Sequence, residues 1–281
     1  MIIIGTDVGK QGHVYAFDRA TGKVRWKYLV TTSAYLDCGV ATSLVRNDES
    51  VYTVAQGDDL LCFDIATGQL RWHFASNFDR TKTEWANTPV LAGNTVIFDG
   101  HDGVVYALDA DSGKVLWKTN LNSPVTTSPI VIGDCVYAAT EGHFYRLRIK
   151  DGTNVGSIAI SGEPWRNVSI AGDNLFAMSD MGTDKGELLA CLNLATNHVQ
   201  WVVNPPGQPE GWGTAWPYLW HGDVLASDKG HLYAYRESDG SLAWSHDFPG
   251  QLVRGIGVTA DTLYIGTMHG MIYAFKPPDQ P

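Results

Sequence analysis

Tyr106–Lys118 reads YALDADSGKVLWK, and nearly the same words stand at two other places in the chain: YAFDRATGKVRWK from Tyr15 and LCFDIATGQLRWH from Leu61. Each has an aromatic or aliphatic strand end, an aspartate, a Thr/Ser-Gly pair and a tryptophan. Self-similarity at a fixed period marks a repeat architecture, in which one small unit is stacked many times. Aligning on the residue that ends the strand gives Phe17, Phe63, Leu108, Leu147, Leu192, Tyr235 and Phe275, roughly one unit every 43 residues. A tryptophan follows at Trp26, Trp72, Trp117, Trp201 and Trp244, whereas the fourth unit has Gly156 in its place.

Each unit reads as four short strands with no helix. Apolar runs such as SPIVI from Ser128 and TPVLA from Thr88 open a unit, followed by DCVYAAT from Asp134 and HFYRL from His143. Alternation at period two in short runs bounded by Gly, Asp and Asn is the half-buried strand pattern. Within D-x-x-(T/S)-G the aspartate can accept backbone N–H groups of a turn, and the glycine supplies the positive φ of a short hairpin. The tryptophan beyond it is placed to pack one sheet on the next. Four-stranded sheets at this period predict an all-β chain, a seven-bladed β-propeller of antiparallel blades forming a single domain over 1–281. Seven second and third strands but six first and fourth ones leave the first and last blades one strand short. Ends that fall inside a unit also suit a domain excised from a longer protein.

The 281 residues carry a net charge of -10, which disfavours a general electrostatic grip on nucleic acid. No run reaches the length of a spanning helix and no leader opens the chain, so membrane insertion is not expected. That reads as cytoplasmic for the chain as written, periplasmic or extracellular if it was trimmed. Four cysteines without a C-x-x-C read as free thiols packed as small hydrophobes.

The quoted repeats, AFDRATGKVRW, CFDIATGQLRW and ALDADSGKVLW, resemble the tryptophan-docking motif of the pyrroloquinoline-quinone-type (PQQ-like) β-propellers. The resemblance runs from Ile2 to Phe275 and is diluted in the fourth and fifth units. It implies the propeller fold. It implies less about activity, since the family includes quinone-dependent dehydrogenases, the non-enzymatic lipoprotein of the outer-membrane barrel-assembly machinery, and sensor domains of bacterial kinases. The dehydrogenases have more repeats and commonly a vicinal Cys-Cys, which this chain lacks. No cofactor is expected, PQQ included. DADSG at Asp109 lacks the spaced oxygen ligands of a calcium loop, and no metal site is expected.

The loops that lead into the first strands differ between units, and such loops rim the channel mouth of a propeller. They carry Asp37, Trp85, Asn87, Trp165, Arg166, Trp212, Trp216 and Arg254 as candidate ligand-binding residues. Glu84 and Glu163 are the candidate acid or base groups. Indoles would wall the site and guanidiniums would take a carboxylate or phosphate in forked geometry. The competing reading is that these side chains plug the channel. Trp216, directly before Pro217, stands where other units have Ser128 and Thr88, which the repeat does not explain. His13, His143 and His231 each follow a glycine at one repeated position in different blades and so are not expected to share a metal. The sequence thus points to a monomeric, non-catalytic propeller holding a protein, peptide or small ligand at the channel mouth. The alternative is an enzyme, a lyase, hydrolase or cyclase, acting at that mouth.

Overall fold

The computed structural model describes residues 1–8, 11–30, 39–40, 42–55, 59–76, 87–161, 163–180, 187–206, 215–228, 230–249 and 253–276. Among them every regular element is a strand. The first sheet holds β1 (Ile2–Val8), β2 (Gln11–Phe17) and β3 (Val24–Val30). The second holds β4 (Val45–Arg46), β5 (Ser50–Ala55), β6 (Asp59–Asp64) and β7 (Leu70–Ala75). The third holds β8 (Val90–Ala92), β9 (Thr95–Asp99), β10 (Val104–Asp109) and β11 (Val115–Asn120). The fourth holds β12 (Ile130–Ile132), β13 (Cys135–Thr140), β14 (His143–Arg148) and β15 (Asn154–Ala159). The fifth holds β16 (Glu163–Ala171), β17 (Asn174–Asp180), β18 (Glu187–Asn193) and β19 (His198–Val203). The sixth holds β20 (Ala215–Trp220), β21 (Asp223–Asp228), β22 (His231–Arg236) and β23 (Leu242–Asp247). The seventh holds β24 (Val253–Val258), β25 (Leu263–Thr267) and β26 (Ile272–Phe275). Hydrogen-bonded neighbours are consecutive in the chain, and the three-stranded sheets are the first and the last, as the repeat count predicts.

The aspartate turn forms as its chemistry requires. The Asp18 carboxylate accepts the N–H groups of Ala20 (3.1 Å) and Thr21 (2.9 Å) and the Thr21 hydroxyl (3.0 Å). Asp64 does the same with Ala66 and Thr67, and Asp109 with Ser112. Gly22, Gly68 and Gly113 close these turns at φ 68°, 72° and 69°, which a Cβ would strain.

A feature that period-two reading misses then orients the tryptophan. The pairing of β2 with β3 shifts register, so that Ala16 faces Trp26 while Phe17 faces Val24. Neighbouring residues on β2 lie on opposite faces, so Trp26 and Val24 do too, although they are two apart. The same bulge recurs at Cys62/Phe63, Ala107/Leu108, Cys191/Leu192 and Ala234/Tyr235. A bulge inserts one residue and re-aims the next. The turned indoles donate Nε1–H to a carbonyl in the turn of the following sheet: Trp26 to Ile65 (3.0 Å), Trp72 to Ala110 (3.1 Å), Trp117 to Ile149 (2.6 Å) and Trp201 to Glu237 (3.0 Å).

The chain divides into two compact units, Met1–Ser157 and Ile158–Pro281. The division follows Gly156, where the repeat lacks its indole. The first unit has cores between successive sheets, such as Val14, Ala16 and Trp26 against Leu61 and Phe63, and Tyr52, Leu60 and Cys62 against Val96, Phe98 and Leu108. The second unit packs Phe176, Leu189 and Cys191 against Val224 and Tyr235, and Leu225 and Leu232 against Ile256, Leu263 and Ile265. Burial of such side chains contributes about 1.5–3 kcal/mol each, which makes these seams the main source of cohesion. Cys62, Cys135 and Cys191 are free thiols, two of them buried; Cys38 lies outside the described residues.

Candidate functional site

In the first unit a polar ladder precedes the short first strands. The Ser43 N–H donates to Thr88 Oγ1 (3.2 Å), and the Thr88 N–H donates to Ser128 Oγ (2.9 Å). The recurring Ser/Thr is therefore a structural acceptor for the backbone of the preceding sheet. Asn87, one of the candidate ligand-binding residues, is only 4% exposed. Its side-chain amide donates to Asp99 Oδ1 (2.9 Å) and to the Val125 carbonyl (3.1 Å), which braces the third sheet to the chain entering the fourth.

In the second unit the equivalent register position carries Asn167, Trp216 and Gly255, with Arg254 one residue before the last, and there the strands are irregular. Pairing in β16 shifts between Pro164 and Val168, in β20 between Ala215 and Tyr218, and in β24 between Val253 and Gly255. Trp165, Arg166, Trp216 and Arg254 thus all fall within bulges of three successive first strands, and Glu163 begins β16. β16 runs beside β20 and β20 beside β24, and the Ser169 hydroxyl donates to the Pro217 carbonyl. A bulge sets two residues of one strand against one of its partner and bends the strand locally. Asp37, Glu84, Trp85 and Trp212 lie outside the described residues.

Two cavities open elsewhere. One of about 350 Å³ in the first unit is lined by Met1, Ile3, Leu44, Arg46, Val51 and Ile65. One of about 180 Å³ in the second is lined by residues including Ile160, Ser179, Leu188 and Ala190. Among the described residues, Asn87 lines neither. Among the described residues no group of three or more His, Cys, Asp and Glu is placed to hold a metal ion. His13, His143 and His231 sit at one register position opposite Thr6, Thr140 and Asp228 of three different sheets, and His231 Nδ1 lies 2.7 Å from Asp247.

Sequence reading did not single out the acid pair Asp223 and Glu237. Burial pushes both carboxyls above their ordinary values, and Asp223 raises Glu237 further. The Trp244 indole bonds Asp223 and opposes its shift, while the Glu237 carbonyl receives Trp201. Glu237 thus lies at the seam between the fifth and sixth sheets, while Asp223 is tied to β23 of its own sheet. A second unpredicted anchor is Trp220, on a first strand, whose Nε1–H donates to the Thr259 carbonyl (3.2 Å).

Beside this geometry, comparison with known protein families gives a match over most of the chain. The model described as outer membrane protein assembly factor BamB matches residues 10–215 and again 184–279. BamB of Legionella pneumophila (strain Paris) is 22% identical over 200 residues, covering 66% of this chain and 50% of that protein. The serine/threonine-protein kinase AfsK of Streptomyces griseus is 30% identical over 119 residues, 42% of this chain and 14% of the kinase. The chain spans half or less of the length of these curated relatives. Among solved structures, BamB from Moraxella catarrhalis superposes with a TM-score of 0.77 at 19% identity, covering 98% of this chain and 81% of that one. The β-propeller expectation holds. No helix of the described residues is long and apolar enough to cross a membrane. Repeat, strand order, indole docking and family match together place this chain in the BamB-like family of PQQ-repeat β-propellers.

Proposed function

We propose that the chain is a non-catalytic, protein-binding propeller that takes an extended partner segment along the bulged first strands of its second unit. The observation that carries this reading is the contrast between the first strands of the two units. Ser43, Thr88 and Ser128 knit the first unit to itself, while Trp216 and Arg254, with Trp165 and Arg166 beside Asn167, sit in bulges. Aromatic and guanidinium groups dominate the energetics of protein interfaces, and their cost in local regularity calls for a use outside the blade. Relatives named as outer membrane protein assembly factors support a partner among the proteins of that assembly. They also support a compartment facing the outer membrane; the cytoplasmic expectation finds no support in them.

A photo-reactive phenylalanine at position 216 or 254 should capture an outer-membrane assembly protein in cells, and the same group at Ser128 should not. Equal capture at all three positions would remove the reading. So would catalytic turnover in a lyase and hydrolase screen that vanishes in Arg254→Ala.

A further inference from the structure

One turn is built twice in this chain with different side chains on it. In the β9–β10 turn of the third sheet, the Gly100 N–H donates to the Val104 carbonyl and the Gly103 N–H to the Gly100 carbonyl, each at 3.0 Å. The β25–β26 turn of the seventh sheet repeats both bonds, from Thr267 to Met271 at 2.9 Å and from Gly270 to Thr267 at 3.0 Å. Gly103 and Gly270 both take φ 78°. His101, Asp102 and Val104 of the one turn therefore correspond to Met268, His269 and Met271 of the other.

The two turns use those positions differently. The Asp102 carboxylate serves its own sheet, accepting the Val104 N–H at 3.0 Å and the Tyr106 hydroxyl at 2.5 Å, and Val104 packs on the core between the second and third sheets. Met268 is 57% and Met271 50% exposed, and His269 is exposed as well. Among the described residues no hydrogen bond, ion pair or ring contact holds the His269 imidazole. The third-sheet turn closes with the same backbone bonds and no methionine. Neither turn formation nor burial thus accounts for a Met-His-Gly-Met run that takes two of the chain's five methionines. The placement is settled inside the second unit: Met271 stands two residues before Tyr273, on the same face of the hairpin, and the Tyr273 ring packs on Phe248 of that unit at 4.9 Å.

Thioether sulfur is a soft, neutral donor and imidazole a borderline one. Two thioethers and one imidazole suit monovalent copper, whereas zinc, calcium and magnesium take thiolate, carboxylate or carbonyl ligands. A β-turn holds its ends within about 7 Å, and the three rotatable bonds of each methionine let both sulfurs reach a common point beside the imidazole. Neutral donors leave the charge of the ion uncancelled, which a chain of net charge -10 accommodates.

We infer that the β25–β26 turn binds one Cu(I) ion through the Sδ atoms of Met268 and Met271 and an imidazole nitrogen of His269. The donor set is distinct from the His, Cys, Asp and Glu groups considered above. The site goes beyond the protein-binding reading and shares no residue with it.

The test titrates the full chain, its accessible thiols blocked with N-ethylmaleimide, with Cu(I) under anaerobic conditions, and follows the methyl resonances of isotopically labelled methionine. The Met268 and Met271 signals should move together and stop at one equivalent, while that of Met178, 3% exposed, stays in place. Zn(II) should move neither, since thioethers are not zinc ligands. In competition with bicinchoninate, Met268→Leu, Met271→Leu and His269→Ala should each weaken Cu(I) binding about tenfold or more, the least that even a group one step removed from a metal contributes. Leucine keeps the bulk of methionine, so the leucine variants remove the sulfur and little else. Binding that moves neither methyl, movement of one without the other, an equal response to Zn(II), or undiminished affinity in His269→Ala overturns the inference. Each of these failures leaves capture at positions 216 and 254 untouched, and with it the reading of the bulged first strands.

Discussion

Replacing Trp117 and Trp72 by phenylalanine separates the hydrogen bond of the docked indole from its bulk. Both residues lie in the first unit and both donate to a turn carbonyl, Trp117 to Ile149 at 2.6 Å and Trp72 to Ala110 at 3.1 Å. The acceptors differ. Ala110 also receives the Tyr52 hydroxyl at 3.0 Å, so Trp72→Phe leaves that carbonyl with a partner. In Trp117→Phe the Ile149 carbonyl loses its indole donor beneath a ring that is 9% exposed. A lost hydrogen bond costs about 1 kcal/mol, and stranding its buried partner adds about 1 more. The smaller ring costs both variants a similar amount of apolar contact. Trp117→Phe should therefore be the more destabilising by about 1 kcal/mol, read as a urea midpoint lower by roughly 0.3 M than that of Trp72→Phe. Unfolding should be followed by far-ultraviolet circular dichroism, with equal m-values as the condition for comparison. If Trp72→Phe proves equally or more destabilising, the carbonyl's second donor is irrelevant, and docking is a matter of shape alone.

Acid should weaken the hairpins. Arg71 and then Thr67 hold Asp64 down to about 2, and hydrogen bonds within their own turns lower Asp18, Asp109, Asp151 and Asp239. A carboxyl depressed on folding contributes stability above its unfolded value, about 4, and loses it as pH falls through the folded one. Thermal midpoints should fall between pH 4 and 2, and less steeply in Asp64→Asn; an unchanged slope in that variant refutes the attribution. Burial raises Cys62 and Cys191 to about 11, so at pH 8 a disulfide reagent should react faster with Cys135, the partly exposed thiol, and reach the buried pair only in denaturant. Asn87→Ala removes both amide contacts to Asp99 and Val125 and should cost about 1–3 kcal/mol in chemical denaturation; a neutral result would return Asn87 to the candidate ligand-binding set as a residue with no structural duty.

The sequence by itself determined the repeat, the strand order and the turn chemistry. Those depend on residues close together in the chain: an aspartate within reach of the next few N–H groups, a glycine free to take positive φ, and apolar side chains alternating along a strand. It also placed Trp216 at the position of Thr88 and Ser128, which the register bears out. Tertiary structure alone decided where each tryptophan points, because the bulge opposite Ala16 is a property of two strands paired together and leaves no mark on the alternation of either. It alone showed that Asn87 is a buried brace and that Trp220 is an anchor. A pattern in one dimension records which residues a turn is made of. Whether an indole lies on that turn depends on a neighbouring sheet, and only packing brings the two together.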